Sequence, residues 1–128
     1  MSSQRRRYIA IIDDENDIVE LFSEALKAAG FSVRGFDDPV TALEHLHKHH
    51  SEYLLVLTDI RMPGMDGFHL AKLIHQMDSK VRFIFMSGFE ISGDIIKETQ
   101  IDEFMKKPIH IAELVNLIRN NLIEAHTS

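Results

Sequence analysis

The chain contains no cysteine among its 128 residues. A disulfide framework, a thiolate metal site such as a zinc ribbon, and a cysteine nucleophile are therefore excluded. The absence is compatible with a reducing compartment, where disulfides are rare. We expect the fold to depend on a hydrophobic core, for which 45% of hydrophobic residues provide enough material.

The sequence also lacks a long apolar run. Arg5, Arg6 and Arg7 precede only a short apolar stretch, residues 8–12, before two aspartates interrupt it, so the pattern of a signal peptide is missing. No uninterrupted apolar stretch reaches the roughly 20 residues that span a bilayer. We therefore expect a soluble, cytoplasmic protein without a membrane partner.

The chain has fewer basic than acidic residues, 14 against 20, which gives a formal net charge of -6. This balance argues against direct binding of nucleic acid, although the three arginines make a small basic patch. The length is typical of one domain of about 100 to 200 residues. We predict a disordered basic leader over residues 1–7 and a single domain over residues 8–125.

Short apolar runs, typical of buried strands, recur along the chain. The five predicted strands cover residues 8–12, 31–35, 54–58, 81–86 and 103–106.

Amphipathic helical patterns fill the intervals between these strands. The predicted core-facing sets are Ile18, Phe22, Ala25 and Ala29; Val40, Leu43 and Leu46; Leu70, Ala71, Ile74 and Met77; and Ile111, Val115, Ile118 and Leu122. Gly30 is predicted to end the first helix, and Asp38 with Pro39 to begin the second. A further helix over residues 93–99 would be short. The alternation predicts an α/β fold, a doubly wound parallel sheet with helices on both faces.

Polar residues stand where the predicted strands end: Asp13, Asp14, Asp59, Ser87 and Lys107. In an open parallel sheet the functional crevice lies beyond the carboxyl ends of the strands, so these side chains should converge. Three carboxylates close together repel one another and favour a bound cation. Oxygen ligands suit Mg²⁺ or Mn²⁺ better than zinc.

A lysine and a hydroxyl beside such a cation would neutralise and orient a transferring phosphoryl group. Lys107 and Ser87 fit this role. Asp59 stands alone at its strand end and is the candidate nucleophile that would form an aspartyl phosphate. The turn at residues 63–67 would keep space open above it.

Four motifs carry a resemblance to a known family. They are residues 11–15 (IIDDE), 59–67 (DIRMPGMDG), 86–88 (MSG) and 107–108 (KP). Together they resemble the receiver domain of two-component response regulators, especially stand-alone members like the chemotaxis regulator, along essentially the whole chain. The resemblance implies a flavodoxin-like sheet with strand order 2-1-3-4-5.

The resemblance also implies residue roles. Asp59 would accept a phosphoryl group from a histidine kinase or a phosphotransfer protein. Asp14, Asp59 and the backbone carbonyl of Arg61 would bind Mg²⁺ directly, and Asp13 would hold it through water. Lys107, rather than its neighbour Lys106, would pair with the phosphoryl group. The peptide bond between Lys107 and Pro108 would be cis.

The same resemblance implies a switch formed by Ser87 and Phe104, where many members have tyrosine in place of the phenylalanine. Arg61 and Phe89 would tune the lifetime of the phosphoryl group, with Phe89 shielding it from water. We expect the protein to catalyse its own phosphorylation and slow dephosphorylation. Its output would be a conformational change read by a separate effector protein, from a monomer or a weak phosphorylation-dependent dimer.

Three alternatives stay open at this stage. The chain could be a phosphorylation-independent interaction module with the same fold. It could be a phosphatase of the aspartyl-phosphate type, although Arg61 stands where such an enzyme would carry a second aspartate. Finally, the histidine-rich stretch holding His45, His47, His49 and His50 could bind a metal. The simpler interpretation is that these histidines form the polar flank of a helix end.

Overall fold

The computed structural model describes residues 6–89 and 103–127, and side chains as far as residue 122. All strand pairs are parallel and form one five-stranded sheet in the order β2-β1-β3-β4-β5. The strands are β1 (Tyr8–Ile12), β2 (Ser32–Phe36), β3 (Tyr53–Asp59), β4 (Arg82–Ser87) and β5 (Glu103–Lys106). The predicted strands and their order are confirmed, with shifts of one residue at some ends.

Four helices pack on this sheet within the described ranges. They are α1 (Asn16–Ala28), α2 (Pro39–His49), α3 (Gly67–Met77) and α4 (Ile111–Thr127), with a 3-10 turn at His50–Glu52. The short helix predicted over residues 93–99 lies outside the described residues. None of the described helices has the length and apolar character that a membrane crossing requires.

Side-chain alternation along the strands gives the sheet two apolar faces. Ile9 and Ile11 of β1 point to the face covered by α1 and α4, whereas Ala10 and Ile12 point to the face covered by α2 and α3. The helical residues buried on these faces include Phe22, Leu26, Leu114 and Ile118 on the first, and Ala42, Leu46, Leu70 and Ile74 on the second. Helices on both faces, as predicted, leave the strand ends free for a site.

The predicted buried face of α1 is confirmed at Phe22, and Ile18 packs against the same core cluster, but the most buried residues lie one position further along the chain. Val19 and Leu26 are buried with Phe22, whereas Ile18, which was predicted to face the core, is only half-buried. Gly35 on β2 makes room for Val19, because a Cβ atom there would collide with the side chain of Val19. Val19 thus occupies space that a larger residue at position 35 would need.

The apolar face predicted for α2 also needs correction at its first residue. Val40 is 45% exposed, and Ala42 occupies the buried position beside Leu46. The helix starts as predicted, since the Asp38 side chain accepts a 2.8 Å bond from the backbone N–H of Thr41. Val40 therefore lies in the first turn, where it points away from the sheet.

Special residues set three helix boundaries, and the two predicted at Pro39 and Gly30 are confirmed. Pro39 occupies the first turn of α2. Gly30 follows α1 with a φ of 99°, a left-handed conformation that favours glycine. Asp66 caps α3 by accepting a 2.8 Å bond from the backbone N–H of His69.

The predicted disordered leader overlaps the folded domain. The Arg6 guanidinium lies 2.7 Å from a carboxylate oxygen of Asp78, and the backbone N–H of Arg7 donates to the carbonyl of Glu52 at 2.9 Å. Arg6 and Arg7 are thus part of the packed structure. Residues 1–5 lie outside the described residues.

The rings of His45 and His49 stack with their centroids 4.7 Å apart, but within the described residues the histidines form no group of three or more metal-ligating side chains. His45 bonds to the Tyr53 hydroxyl at 2.7 Å, His49 to Glu52 at 2.7 Å, and His50 to Asp78 at 2.8 Å. His47 contacts the sulfur atom of Met77. Each ring also contacts a partner outside the histidine-rich stretch, which supports the polar-flank interpretation.

Candidate functional site at the carboxyl ends of the strands

Backbone hydrogen bonds continue past the ends of the strands and position the polar residues there. The N–H of Asp13 donates to the carbonyl of Phe36 at 3.1 Å, and the N–H of Lys107 donates to the carbonyl of Ser87 at 2.7 Å. The N–H of Ile60, directly after Asp59, donates to the carbonyl of Met86 at 3.1 Å. The loops that carry the predicted site therefore leave the sheet in fixed directions.

Asp13, Asp14 and Asp59 meet at this edge of the sheet. Each offers a carboxylate oxygen, and these oxygens lie within 4.8 Å of one another. Asp13 is fully buried and Asp59 is 7% exposed, whereas Asp14 is open to solvent. Within the described part of the chain this is the only group of three or more acidic, histidine or cysteine side chains that could hold a metal ion.

Lys107 bridges the two buried carboxylates. Its Nζ atom lies 3.3 Å from Asp13 and 3.2 Å from Asp59. Its bond to Pro108 is cis, as the resemblance implied. Burial would lower the pKa of Lys107, but the charges of Asp13 and Asp59 outweigh that effect and raise it. Lys107 is therefore a permanent cation at the site.

One ammonium group does not neutralise three carboxylates. Burial raises the pKa of Asp13 and the nearby charge of Asp59 adds to this effect, while the N–H of Glu15, at 2.9 Å, and Lys107 oppose it. The net result is a raised pKa, because the two partners do not offset the cost of burying this carboxylate beside Asp59. Oxygen donors with excess negative charge fit a hard divalent cation such as Mg²⁺.

Ser87 lies at the end of β4 and is fully buried. Its hydroxyl donates to the backbone carbonyl of Phe89 at 3.0 Å and accepts from the backbone N–H of the same residue at 3.0 Å. The hydroxyl is thus engaged within its own turn, so a role in binding a phosphoryl oxygen would require it to reorient.

Arg61 and Phe89 contact each other, which sequence reasoning missed. The Arg61 guanidinium lies 4.1 Å from the centroid of the Phe89 ring, a distance typical of a cation–π contact. Both positions were predicted to tune the lifetime of a phosphoryl group. Nothing local in the sequence signals their pairing, because they belong to loops after different strands.

Phe104 lies on β5 opposite Phe85 of β4. Its side chain is half-buried and packs against the core cluster on the α2 and α3 face. The switch role of Phe104 stays a prediction.

Gly67 is a second feature whose reason was missed. It begins α3, and its N–H donates to the carbonyl of Ile60 at 2.7 Å. A Cβ atom on Gly67 would collide with the carbonyl oxygen of Asp59. The glycine thus lets the start of α3 press directly against the backbone that carries Asp59, and the Asp-Gly pair at residues 66–67 was its sequence signal.

Residues 9–119 match the family model of the response regulator receiver domain. The chain belongs to the response regulator receiver family. The prediction made from the four motifs is confirmed. Receiver domains of this family act in two-component signalling. The three aspartates and Lys107 converge at the carboxyl ends of the strands, as their positions after the predicted strands indicated.

Individual relatives agree with this assignment. The response regulator receiver protein CpdR from Brucella abortus (strain 2308) is 34% identical over 122 residues, covering 91% of this chain and 98% of CpdR. Other curated relatives are longer, and this receiver domain spans only 28% of one and 52% of another.

Solved receiver structures have the same architecture. The signal receiver domain of an HD domain-containing protein from Pseudomonas fluorescens Pf-5 has 27% identity and a TM-score of 0.85, covering 97% of this chain and 100% of that one. The response regulator TrrA from Thermotoga maritima, in complex with Mg²⁺-BeF, has 25% identity and a TM-score of 0.79, covering 90% of this chain and 98% of its own.

Proposed function

We propose that this receiver domain is a phosphorylation-dependent switch in which Asp59 accepts a phosphoryl group from a histidine kinase or a phosphotransfer protein. The observation that carries the proposal is the convergence of Asp13, Asp14 and Asp59, with the Lys107 ammonium bridging two of them. The alternative of an interaction module that never binds phosphate leaves this convergence of charge unexplained.

The proposed reaction is a transfer between two nucleophiles. A carboxylate oxygen of Asp59 forms a bond to phosphorus while the P–N bond of the donor phosphohistidine breaks, and the electron pair returns to the imidazole ring. Lys107, now 3.2 Å from Asp59, pairs with the oxygens of the transferred group. Slow hydrolysis follows, when a water oxygen attacks phosphorus and the Asp59 carboxylate leaves.

Asp14, Asp59 and the carbonyl of Arg61 would hold Mg²⁺ directly, and Asp13 would hold it through water. Bound Mg²⁺ would neutralise charge on the carboxylates and on the phosphoryl oxygens. Mn²⁺ also prefers oxygen ligands, and we propose that it substitutes. The under-compensated negative charge around Asp13 supports this assignment.

Phosphorylation would be read through Ser87 and Phe104. Ser87 would leave its present partner and bind a phosphoryl oxygen, and Phe104 would follow into the space released. The changed surface would signal to a separate effector protein in the cytoplasm, from a monomer or a weak phosphorylation-dependent dimer, without direct contact with nucleic acid or membrane. Arg61 and Phe89 would set how long the signal lasts.

Incubation with acetyl phosphate, a small phosphodonor, tests the proposal. With Mg²⁺ present, intact mass spectrometry should show an adduct of about 80 Da on the wild-type protein, the mass of one phosphoryl group. Chelation of the metal should abolish the adduct, and Mn²⁺ should restore it. Asp59→Asn should show none under any condition.

Asp66→Asn is the matched control, because Asp66 belongs to the same loop but caps α3, and asparagine is an equally good capping residue. It should be phosphorylated like the wild type. A folded wild-type protein that forms no adduct with either metal would contradict the proposal and favour the interaction module.

A further inference from the structure

The loop after β4 holds Ser87 in a closed arrangement. The Ser87 hydroxyl and the backbone of Phe89 exchange two hydrogen bonds of 3.0 Å, which close a tight turn at a fully buried side chain. Recruitment of this hydroxyl by a phosphoryl oxygen must break the bond that it donates to the Phe89 carbonyl, because a hydroxyl has a single O–H donor. The stability of the Phe89 backbone position therefore affects how readily Ser87 moves.

The Phe89 side chain is anchored from two directions. Its ring packs against the core cluster on the α2 and α3 face, and its exposed side lies 4.1 Å beneath the guanidinium of Arg61. Arg61 is an exposed residue in the loop after β3, two residues beyond Asp59. The stack thus links the loop that carries the phosphoacceptor to the loop that carries the switch hydroxyl.

We propose that the Arg61–Phe89 stack is a latch that stabilises the unphosphorylated conformation by holding Ser87 on the Phe89 backbone. Arg61 is then a positioning residue, because it acts on Ser87 through Phe89. This inference rests on the proposed function and adds a regulatory element to it. The free energy needed to break the stack is part of the difference between the unphosphorylated and the activated conformations. A substitution that weakens the stack therefore shifts the population towards the activated conformation.

A direct role for Arg61 predicts the opposite sign. If the guanidinium bound the phosphoryl oxygens itself, removing it would weaken the phosphorylated state. If it holds the latch closed, removing it strengthens that state. The two interpretations are therefore separated by the direction of one measurement.

The full-length chain is titrated with beryllofluoride in the presence of Mg²⁺, as an analogue of the phosphoryl group. Arg61→Ala and Phe89→Leu should each bind it more tightly than wild type, by about twofold to fivefold, the range expected for an exposed cation–π contact. The double variant should gain no more than the stronger single variant, since both substitutions remove the same contact.

Arg119→Ala is the matched control, because Arg119 lies over another ring, Phe31, at 5.9 Å on the face of the molecule formed by α4. It should leave beryllofluoride affinity unchanged. Urea unfolding of every variant shows whether a change in overall stability contributes.

Hydrogen exchange of the Phe89 amide gives a readout without any phosphoryl analogue. This N–H is bonded to the Ser87 hydroxyl, so a weakened latch should speed its exchange about twofold or more in Arg61→Ala, at unchanged exchange in the core strand β3. Three results would each overturn the latch. They are weaker beryllofluoride binding by Arg61→Ala, unchanged hydrogen exchange of its Phe89 amide, and a double variant whose gain in affinity is the product of the two single gains. If wild type bound no beryllofluoride, the proposed function would fail, whereas normal wild-type binding with unaltered variants would reject the latch alone.

Discussion

Asp13 is a fully buried carboxylate whose environment does not suit its charge. Lys107 lies 3.3 Å away, but Asp59 shares that ammonium and Asp14 adds a third negative charge nearby. A residue that only served folding would not be arranged in this way, since burial of under-compensated charge costs stability. The cost is consistent with a site kept for binding a cation.

Asp13→Asn should therefore stabilise the protein when divalent metal is removed. Asparagine keeps an oxygen that accepts the N–H of Glu15 but loses the repelling charge, and we expect the free energy of unfolding to rise by about 1 kcal/mol. Urea unfolding in EDTA measures this change.

Added Mg²⁺ should stabilise the wild type more than Asp13→Asn, because the variant keeps the proposed direct ligands but loses the carboxylate that would hold the ion through water. Glu44→Gln, an exposed site on α2 with the same change of net charge, serves as the control and should change neither quantity. A loss of stability in Asp13→Asn would show that its charge is favourable in the folded state.

The loop between β3 and α3 shows how two elements position a functional group together. Strand β3 ends at Asp59, and α3 begins at Gly67. The absence of a side chain on Gly67 allows the backbone of α3 to contact the Asp59 carbonyl. The position of the nucleophile thus depends on how closely a helix can approach a strand.

Gly67→Ala should separate these elements. We expect a loss of about 1 to 3 kcal/mol in the free energy of unfolding, the usual cost of an added group in a close-packed contact. Gly88→Ala is the matched control, because a Cβ atom on Gly88 meets nothing within 4 Å, and it should change stability by less than about 0.5 kcal/mol.

Chemical denaturation measures both variants, and acetyl phosphate labelling of Gly67→Ala should be slower than that of wild type because Asp59 is displaced. Equal stability of the two variants would mean that the loop relaxes without cost.

At the scale of the whole molecule, the edge of the sheet opposite the candidate site is held by an ion-pair network. Asp78, just before β4, bonds to His50, just before β3, at 2.8 Å, and to Arg6, just before β1, at 2.7 Å. These residues precede parallel strands, so they meet at the amino-terminal edge. Burial alone would raise the pKa of Asp78, but the bonds from His50 and Arg6 outweigh it and lower the pKa.

A lowered pKa in the folded state means that ionised Asp78 contributes stability at neutral pH. This contribution is present above the ordinary value of 3.8 and is lost as the pH falls through the lower folded value. Asp78→Asn should therefore cost about 2 kcal/mol at pH 7, and the difference from wild type should shrink as the pH falls below about 4.

Urea unfolding at a series of pH values between 7 and 3 checks this expectation. Glu24→Gln, an exposed residue of α1, controls for the change in net charge. A difference between wild type and Asp78→Asn that stayed constant across the series would contradict the assigned role of the carboxylate charge.

Much of the fold and of the candidate site was predictable because the signals are local. Strand and helix periods, the cap at Asp38 and the left-handed Gly30 depend on neighbours in the chain, and the structure confirms them. The polar residues at the strand ends could be assigned to one edge because parallel strands all point the same way.

The tertiary structure decided what depends on contacts between distant parts of the chain. Gly35 of β2 leaves the space that Val19 of α1 fills, and the meeting of two loops paired Arg61 with Phe89. Hydrophobic periodicity shows which face of a helix is apolar. It does not show which residues of that face become fully buried, since that depends on the space left by the strand or helix packed against it. The sequence alone therefore determined the order of the elements and the chemistry at their ends, and packing determined how those elements are turned and coupled.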